Sequence, residues 1–392
     1  MIAAVILAAV AFVPTYASAA TVVQLRGWGA NDRGQVGDGT TTTRLTPVRV
    51  ATPANTVITQ IASGQRFSFA LTSSGQLLAW GDNRHGELGI GHANGGSLLP
   101  VPVAMPTGII VVAVGAERGH SLAVTSTGAV YAWGENSYGE LGTGTRSPFI
   151  ATPTLVKLPP GTTATAVAVG EYYSLALTST GRVLAWGLNG HGQFGNGTVS
   201  LTAVSATPLW VRLAPGTTVN QIGAGDHSVA LTSTGGLLAW GNNGSGQLGN
   251  GLVNPSGSAL PVTVMMPPGV TATAIADDVG HSSALLTDGR ILAWGNDNLG
   301  QLGDGAPAPF RAIPVYVALP AGTTVTSVAA GGGQSFAVTA SGTLLGWGSD
   351  SNGALGDGTT TSRTAPVTVA LPAGSKAVSV AAGGQHAMAI VA

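Results

Sequence analysis

Gly225-Asp226-His227-Ser228-Val229-Ala230-Leu231, running on to Trp240-Gly241-Asn242-Asn243-Gly244-Ser245-Gly246-Gln247-Leu248-Gly249-Asn250-Gly251, decides the fold. Its Trp-Gly pair is one of seven, at Trp28, Trp80, Trp133, Trp186, Trp240, Trp294 and Trp347, separated by 52, 53, 53, 54, 54 and 53 residues. A fixed period of this length marks one supersecondary unit copied around a closed object. The period runs from Trp28 to the C-terminus with no linker or shift in composition, so residues 20–392 read as one domain of seven equal parts.

Counting from each Trp, Gly occupies the sixth, ninth and eleventh following positions in all seven copies, as at Gly139, Gly142 and Gly144 after Trp133. Such positions need positive φ or close approach of a neighbouring strand. The third position is Asn31, Asn83, Asn136, Asn189, Asn243, Asp297 or Asp350, which are turn-forming residues. The eighth is always apolar, for example Val36, Leu141 and Phe194, and pins the loop to the core. Upstream, Ser174 to Thr178, the turn Ser179-Thr180-Gly181 and Val183 to Trp186 predict a hairpin in each unit. Pro-Val-x-Val segments at Pro47, Pro261, Pro314 and Pro366, and runs such as Val325 to Ala330, supply two further strands.

Four strands per unit predict an all-β fold, a seven-bladed β-propeller of four-stranded antiparallel blades. The half-units Val22 to Gly29 and Val378 to Val391 are expected to pair and close the ring, leaving no sheet ends to cap. One parity of the hairpin's first strand is bulky (Leu175, Leu177) and the other small (Ser174, Ala176), so adjacent blades can interlock. The seven Trp side chains are expected to fill the space between blades.

Composition bounds the chemistry. Charged residues are only 8% of the chain, net charge is −1, and Lys occurs only at Lys157 and Lys376. No Lys/Arg run offers a basic face for a phosphate backbone, so nucleic acid is not an expected partner. The absence of Cys removes disulfides, thiolate zinc sites and thiol nucleophiles. Ile2 to Val13 is continuously apolar, then come Pro14 and the small residues Ala17-Ser18-Ala19. Residues 1–19 therefore read as a secretory signal peptide, with an uncleaved anchor as the competing reading. The apolar stretch is shorter than the ~20 residues of a membrane helix, and the mature chain offers no other span.

The repeated Gly-x-x-His-Ser-x-Ala-Leu and Trp-Gly-x-Asn-x-x-Gly-Gln-Leu-Gly-x-Gly patterns resemble the regulator of chromosome condensation repeat family. The resemblance covers essentially everything after the leader. It implies a seven-bladed propeller closed by its two ends, and a protein-binding role. That family includes nucleotide exchange factors, a plant ultraviolet receptor and a secreted β-lactamase inhibitor. No unit carries the long wedge of an exchange factor, and only Trp210 stands outside the Trp-Gly positions. The positions matching the inhibitor's contact loops are Arg66, Gly119, Tyr172, Asp226, His281, Gly333 and Gln385.

His120, His227 and His386 share one place in the hairpin, where other units are aligned with Phe67, Tyr173, Ser282 and Gln334. Because Phe serves there, the place reads as a buried packing or hydrogen-bonding position and not as a metal site. His281 is expected one residue out of step, directed to the rim. Turns such as Asp350-Ser351-Asn352-Gly353 lack a following bidentate Glu, so no metal and no cofactor are expected. No nucleotide-binding loop, hydrolase elbow or His-Glu-x-x-His motif occurs, and the chain is expected not to be an enzyme. The functional signal is variability among the loops expected to enter the innermost strands, because residues free of structural duty can serve recognition. Arg66, Glu117, Arg118, Glu171, Tyr172, Asp226, Asp277, Asp278 and His281 are the expected contacts of an exported, monomeric propeller with its protein partner. Trp210 and Tyr316 are expected as exposed aromatics on outer strands. Two alternatives stay open: a secreted inhibitor of a hydrolase, and a cell-surface glycan-acting enzyme using channel carboxylates.

Overall fold

The computed structural model describes residues 24–200, 202–306 and 308–392. Among them all regular elements are strands, arranged in seven four-stranded antiparallel sheets. No helix of the described residues is long and apolar enough to cross a membrane. The leader expected over residues 1–19 lies outside the described residues.

The blade built on Trp186 shows the common plan, from channel to periphery: Ala164–Val169, Tyr173–Thr178, Val183–Leu188 and Val204–Trp210. The second strand is buried along its whole length, since bulky and small parities both face neighbouring blades. Between the third and outer strands the register shifts at Ala185/Gly187. Gly187 sits at φ 103°, and a Cβ there would lie 2.5 Å from the Tyr172 carbonyl oxygen. Only glycine fits, which explains why every Trp is followed by one.

The expected closure is present. In the Trp28 blade the strands run Arg44–Arg49, Gln24–Gly29, His386–Val391 and Ala377–Ala382, with Trp28 opposite Ala387 and Gln24 opposite Val391. Both ends of the propeller thus contribute two strands to one sheet.

Blades are joined by a repeated latch. All seven Trp side chains are at most 1% exposed. Each indole Nε1 donates to a loop carbonyl of the preceding blade, as Trp80 to Gln35 (2.9 Å), Trp186 to Glu140 (2.7 Å) and Trp28 to Ala354 (2.9 Å). Truncating such a side chain to Ala costs ~3–5 kcal/mol. A serine on the second strand gives its hydroxyl to the same carbonyl, as Ser68 to Gln35 and Ser174 to Glu140. That serine also meets a ring from the preceding blade: His120 to Ser174 (2.9 Å), Tyr173 to Ser228 (2.8 Å), His227 to Ser282 (2.7 Å), His281 to Ser335 (2.7 Å) and His386 to Ser68 (2.8 Å).

This ladder corrects the expectation for His281. It pairs with Gly295 just as His227 pairs with Gly241, and it is fully buried. Ser282 is its latch serine, not the occupant of the histidine position. The doubled Ser282-Ser283 permits a one-residue slip in reading the sequence, and a one-residue slip on a strand exchanges its faces. His281 is a seam residue and no part of a rim.

Candidate functional site

The inner strands enclose a channel with a cavity of about 110 Å³. The variable loops do not enter these strands, as the sequence reading had it, but leave them and turn into the second strands. They collect at one end of the channel, and the repeat rule breaks there. Opposite the latch residue, six blades place Ser63, Ala116, Val169, Ala224, Ala330 and Ala382, while the Trp294 blade places Asp277. At the next residue, five blades have Gly64, Gly170, Gly225, Gly331 and Gly383, and the other two have Glu117 and Asp278. Glycine is the rule because blades crowd here: a Cβ on Gly225 would collide with the Asp278 carbonyl oxygen. Carboxylates in place of small residues are departures that packing does not require.

Asp277 rewires its seam. Ser282 Oγ turns from the latch carbonyl to Asp277 Oδ1 at 2.6 Å, and His227 Nε2 lies 3.0 Å from the same oxygen. Asp277 Oδ2 is buried with no hydrogen-bond partner. Burial alone would lower His227, yet Asp277 beside it leaves the imidazole raised. These three residue types also make hydrolase triads, but the relay geometry differs. Serine and aspartate both meet Nε2, and Nδ1 of His227 is without a partner.

Asp278, also buried, is a structural cap. Its carboxylate accepts the backbone N–H groups of Gly280, His281 and Gly333 and faces the His281 ring. Burial would raise it, but His281 and these hydrogen bonds hold it at about 2. Glu117 is half-buried at the mouth. Burial first, then the Asp278 and Glu171 carboxylates, push it up to about 7. Asp226 is pushed up to about 7 as well, by burial and then by Glu171.

Arg118 sits between these groups. Among the described residues it is one of two non-glycine residues at positive φ, 34°, a strained conformation of the kind that clusters at functional sites. Its guanidinium pairs with Glu171 and lies 4.3 Å above the Tyr172 ring, which in turn packs edge-on against Tyr138. The expected residues Glu117, Arg118, Glu171, Tyr172, Asp226, Asp277 and Asp278 therefore form one neighbourhood. Arg66 stands apart, exposed and paired with Asp32 at 3.2 Å.

The opposite end of the channel is different. Arg182, Arg290 and Lys376 precede strands at that end, and Arg49, Lys157 and Arg212 lie where outer strands finish there; all six are exposed. Asp288, paired with Arg290, is the acid among the turns between second and third strands at that end. The sequence has no basic run, yet the ring gathers dispersed cations onto one face, which a linear reading could not show. Trp210 and Tyr316 occur at matching outer-strand positions, and each carries a stacked guanidinium, Arg182 at 3.7 Å and Arg290 at 4.4 Å.

Residues 14–277 match the model of the RCC1-like domain, and residues 288–338 and 341–390 match the regulator of chromosome condensation (RCC1) repeat. The human E3 ubiquitin-protein ligase HERC2 is 31% identical over 95% of the chain, which spans 8% of that protein's length. The mouse secretion-regulating guanine nucleotide exchange factor is 30% identical over 79% of the chain and 71% of its own length. The crystal structure of Prp20p from Saccharomyces cerevisiae superposes with a TM-score of 0.85 at 25% identity, covering 97% of this chain and 92% of that one. By family match, repeat and blade architecture together, the chain belongs to the RCC1-like propeller family.

Proposed function

We propose that this chain is an exported, non-enzymatic, monomeric propeller that binds a protein partner through the loops following its inner strands. The observation that carries the reading is the concentration of repeat-breaking residues at that end of the channel: Glu117, Asp277 and Asp278 in small-residue positions, beside the strained Arg118 and its Glu171–Tyr172 cluster. Kinship supports protein binding: Prp20p has binding properties toward Gsp1p and histones, and the mouse relative is named as an exchange factor. Export rests on the apolar stretch Ile2 to Val13 and the small residues Ala17 to Ala19.

Two measurements test it. Affinity capture from the native host should retain a partner with the wild-type chain and lose it with Arg66→Ala/Arg118→Gly/Tyr172→Ala, while the melting temperature holds. Undiminished capture by the triple variant refutes the face. For export, the mature protein recovered outside the cell should begin at Ala20; an intact Met1 on intracellular protein refutes it.

A further inference from the structure

The carboxylate-bearing end of the channel holds a charge imbalance that the fold leaves unsettled. Glu117, Glu171, Asp226, Asp277 and Asp278 gather there against the Arg118 guanidinium, which is committed to Glu171. Asp278 is fully engaged by backbone donors, and Asp277 Oδ1 by Ser282 and His227. Asp277 Oδ2 has no partner, although the side chain is only 1% exposed and the residue lines the channel. Ser63 Oγ, across the ring on the same lining, is buried and unpartnered too. Buried polar atoms normally find partners, so a carboxylate oxygen left without one on a channel-lining residue marks a place for a donor.

We propose that this mouth seats a lysine or arginine side chain presented by a basic segment of the partner protein, a refinement that rests on the protein-binding reading above. The cation would lie among Glu117, Asp226 and Asp277, beside the unpartnered Asp277 oxygen, with its aliphatic stem against the Ala and Val lining. Charge layout favours this occupant. A basic segment approaching the disc is attracted to the carboxylate end and repelled by the six cations at the other, which also fixes which face it meets.

The test uses the purified chain and a fluorescein-labelled peptide of alternating Gly and Lys, its Nε-acetylated twin, and a Gly-Glu counterpart. The lysine peptide should bind, more weakly as salt rises, and the other two should not. Glu117→Gln/Asp226→Asn, which keeps side-chain shape, should weaken binding of the lysine peptide by roughly tenfold or more. Equal binding of the acetylated twin, or an unchanged affinity in the folded double variant, overturns the proposal. If the double variant does not fold, the wild-type comparison of lysine and acetyl-lysine peptides decides alone. Native-partner capture kept by Glu117→Gln/Asp226→Asn but lost with the rim triple variant would overturn the cation seat and leave the protein-binding face standing.

Discussion

Replacing Ala387 by serine should stabilise the propeller by about 1 kcal/mol, because one of its seams lacks a part that the others have. Ala387 stands where the other six blades carry Ser68, Ser121, Ser174, Ser228, Ser282 and Ser335. Two consequences are visible at that seam. The Ala354 carbonyl receives Trp28 Nε1 with no serine beside it, and Gln334, which occupies the ring position facing the missing hydroxyl, keeps a buried Oε1 without a partner. A buried acceptor left unsatisfied costs ~1–3 kcal/mol, and a new neutral hydrogen bond returns about 0.5–1.5. A hydroxyl has one proton, so in the wild-type background it serves Gln334.

In a Trp28→Phe background the same proton would serve Ala354. Trp28→Phe should therefore cost ~1–3 kcal/mol more than Trp186→Phe, whose carbonyl keeps the Ser174 donor, and Ala387→Ser should recover most of the difference. Urea unfolding followed by far-ultraviolet circular dichroism reads all four variants. Equal losses for the two Trp→Phe variants, or an Ala387→Ser midpoint at or below wild type, would refute the latch as the source of seam stability.

Three further outcomes are expected. His281→Ala should cost ~3 kcal/mol in urea unfolding, since it empties a fully buried seam position and strips Ser335 and the Asp278 carboxylate of their partner; a loss below 1 kcal/mol would return His281 to the rim. Glu117, faced by Arg118, Glu171 and Asp278, is raised from 4.5 to about 7. A carboxyl raised on folding gives stability that is full below its unfolded value and lost as pH rises through 7, so Glu117→Gln should flatten the decline in stability between about pH 5 and 8; parallel wild-type and variant profiles would contradict that. Gly225→Ala should abolish soluble expression because the added Cβ meets the Asp278 carbonyl, whereas Gly161→Ala, with open space around it, should cost only about 1 kcal/mol.

Much of this architecture could be read from spacing alone. The Trp-Gly interval, the three glycines after it and the matching half-units at the ends specify blades, turns and closure, because each repeats a local steric requirement seven times. What escaped was whatever depends on exact register or on assembly around the ring. His281 was displaced by the Ser282-Ser283 doublet. The linkage of His227, Asp277 and Ser282 joins residues up to 55 apart, and no motif search connects them. A signal was nevertheless present: among inner-strand ends that otherwise carry Gly, Glu117 and Asp278 are the two exceptions. The cationic face escaped because its members are spread over the turns and strand ends of several blades and become neighbours only when the ring closes.

The clasp between Gln24–Gly29 and His386–Val391 sets the timetable of biogenesis. Gln24–Gly29 can pair with Arg44–Arg49 early, but its other side finds His386–Val391 only after six further blades have been made, so during synthesis that side waits as an open edge, available to another chain. Any machinery that carries this polypeptide must therefore keep that edge covered until the hairpin of Ala377–Ala382 and His386–Val391 is delivered, and a nascent chain stalled before that hairpin would remain an unclosed arc.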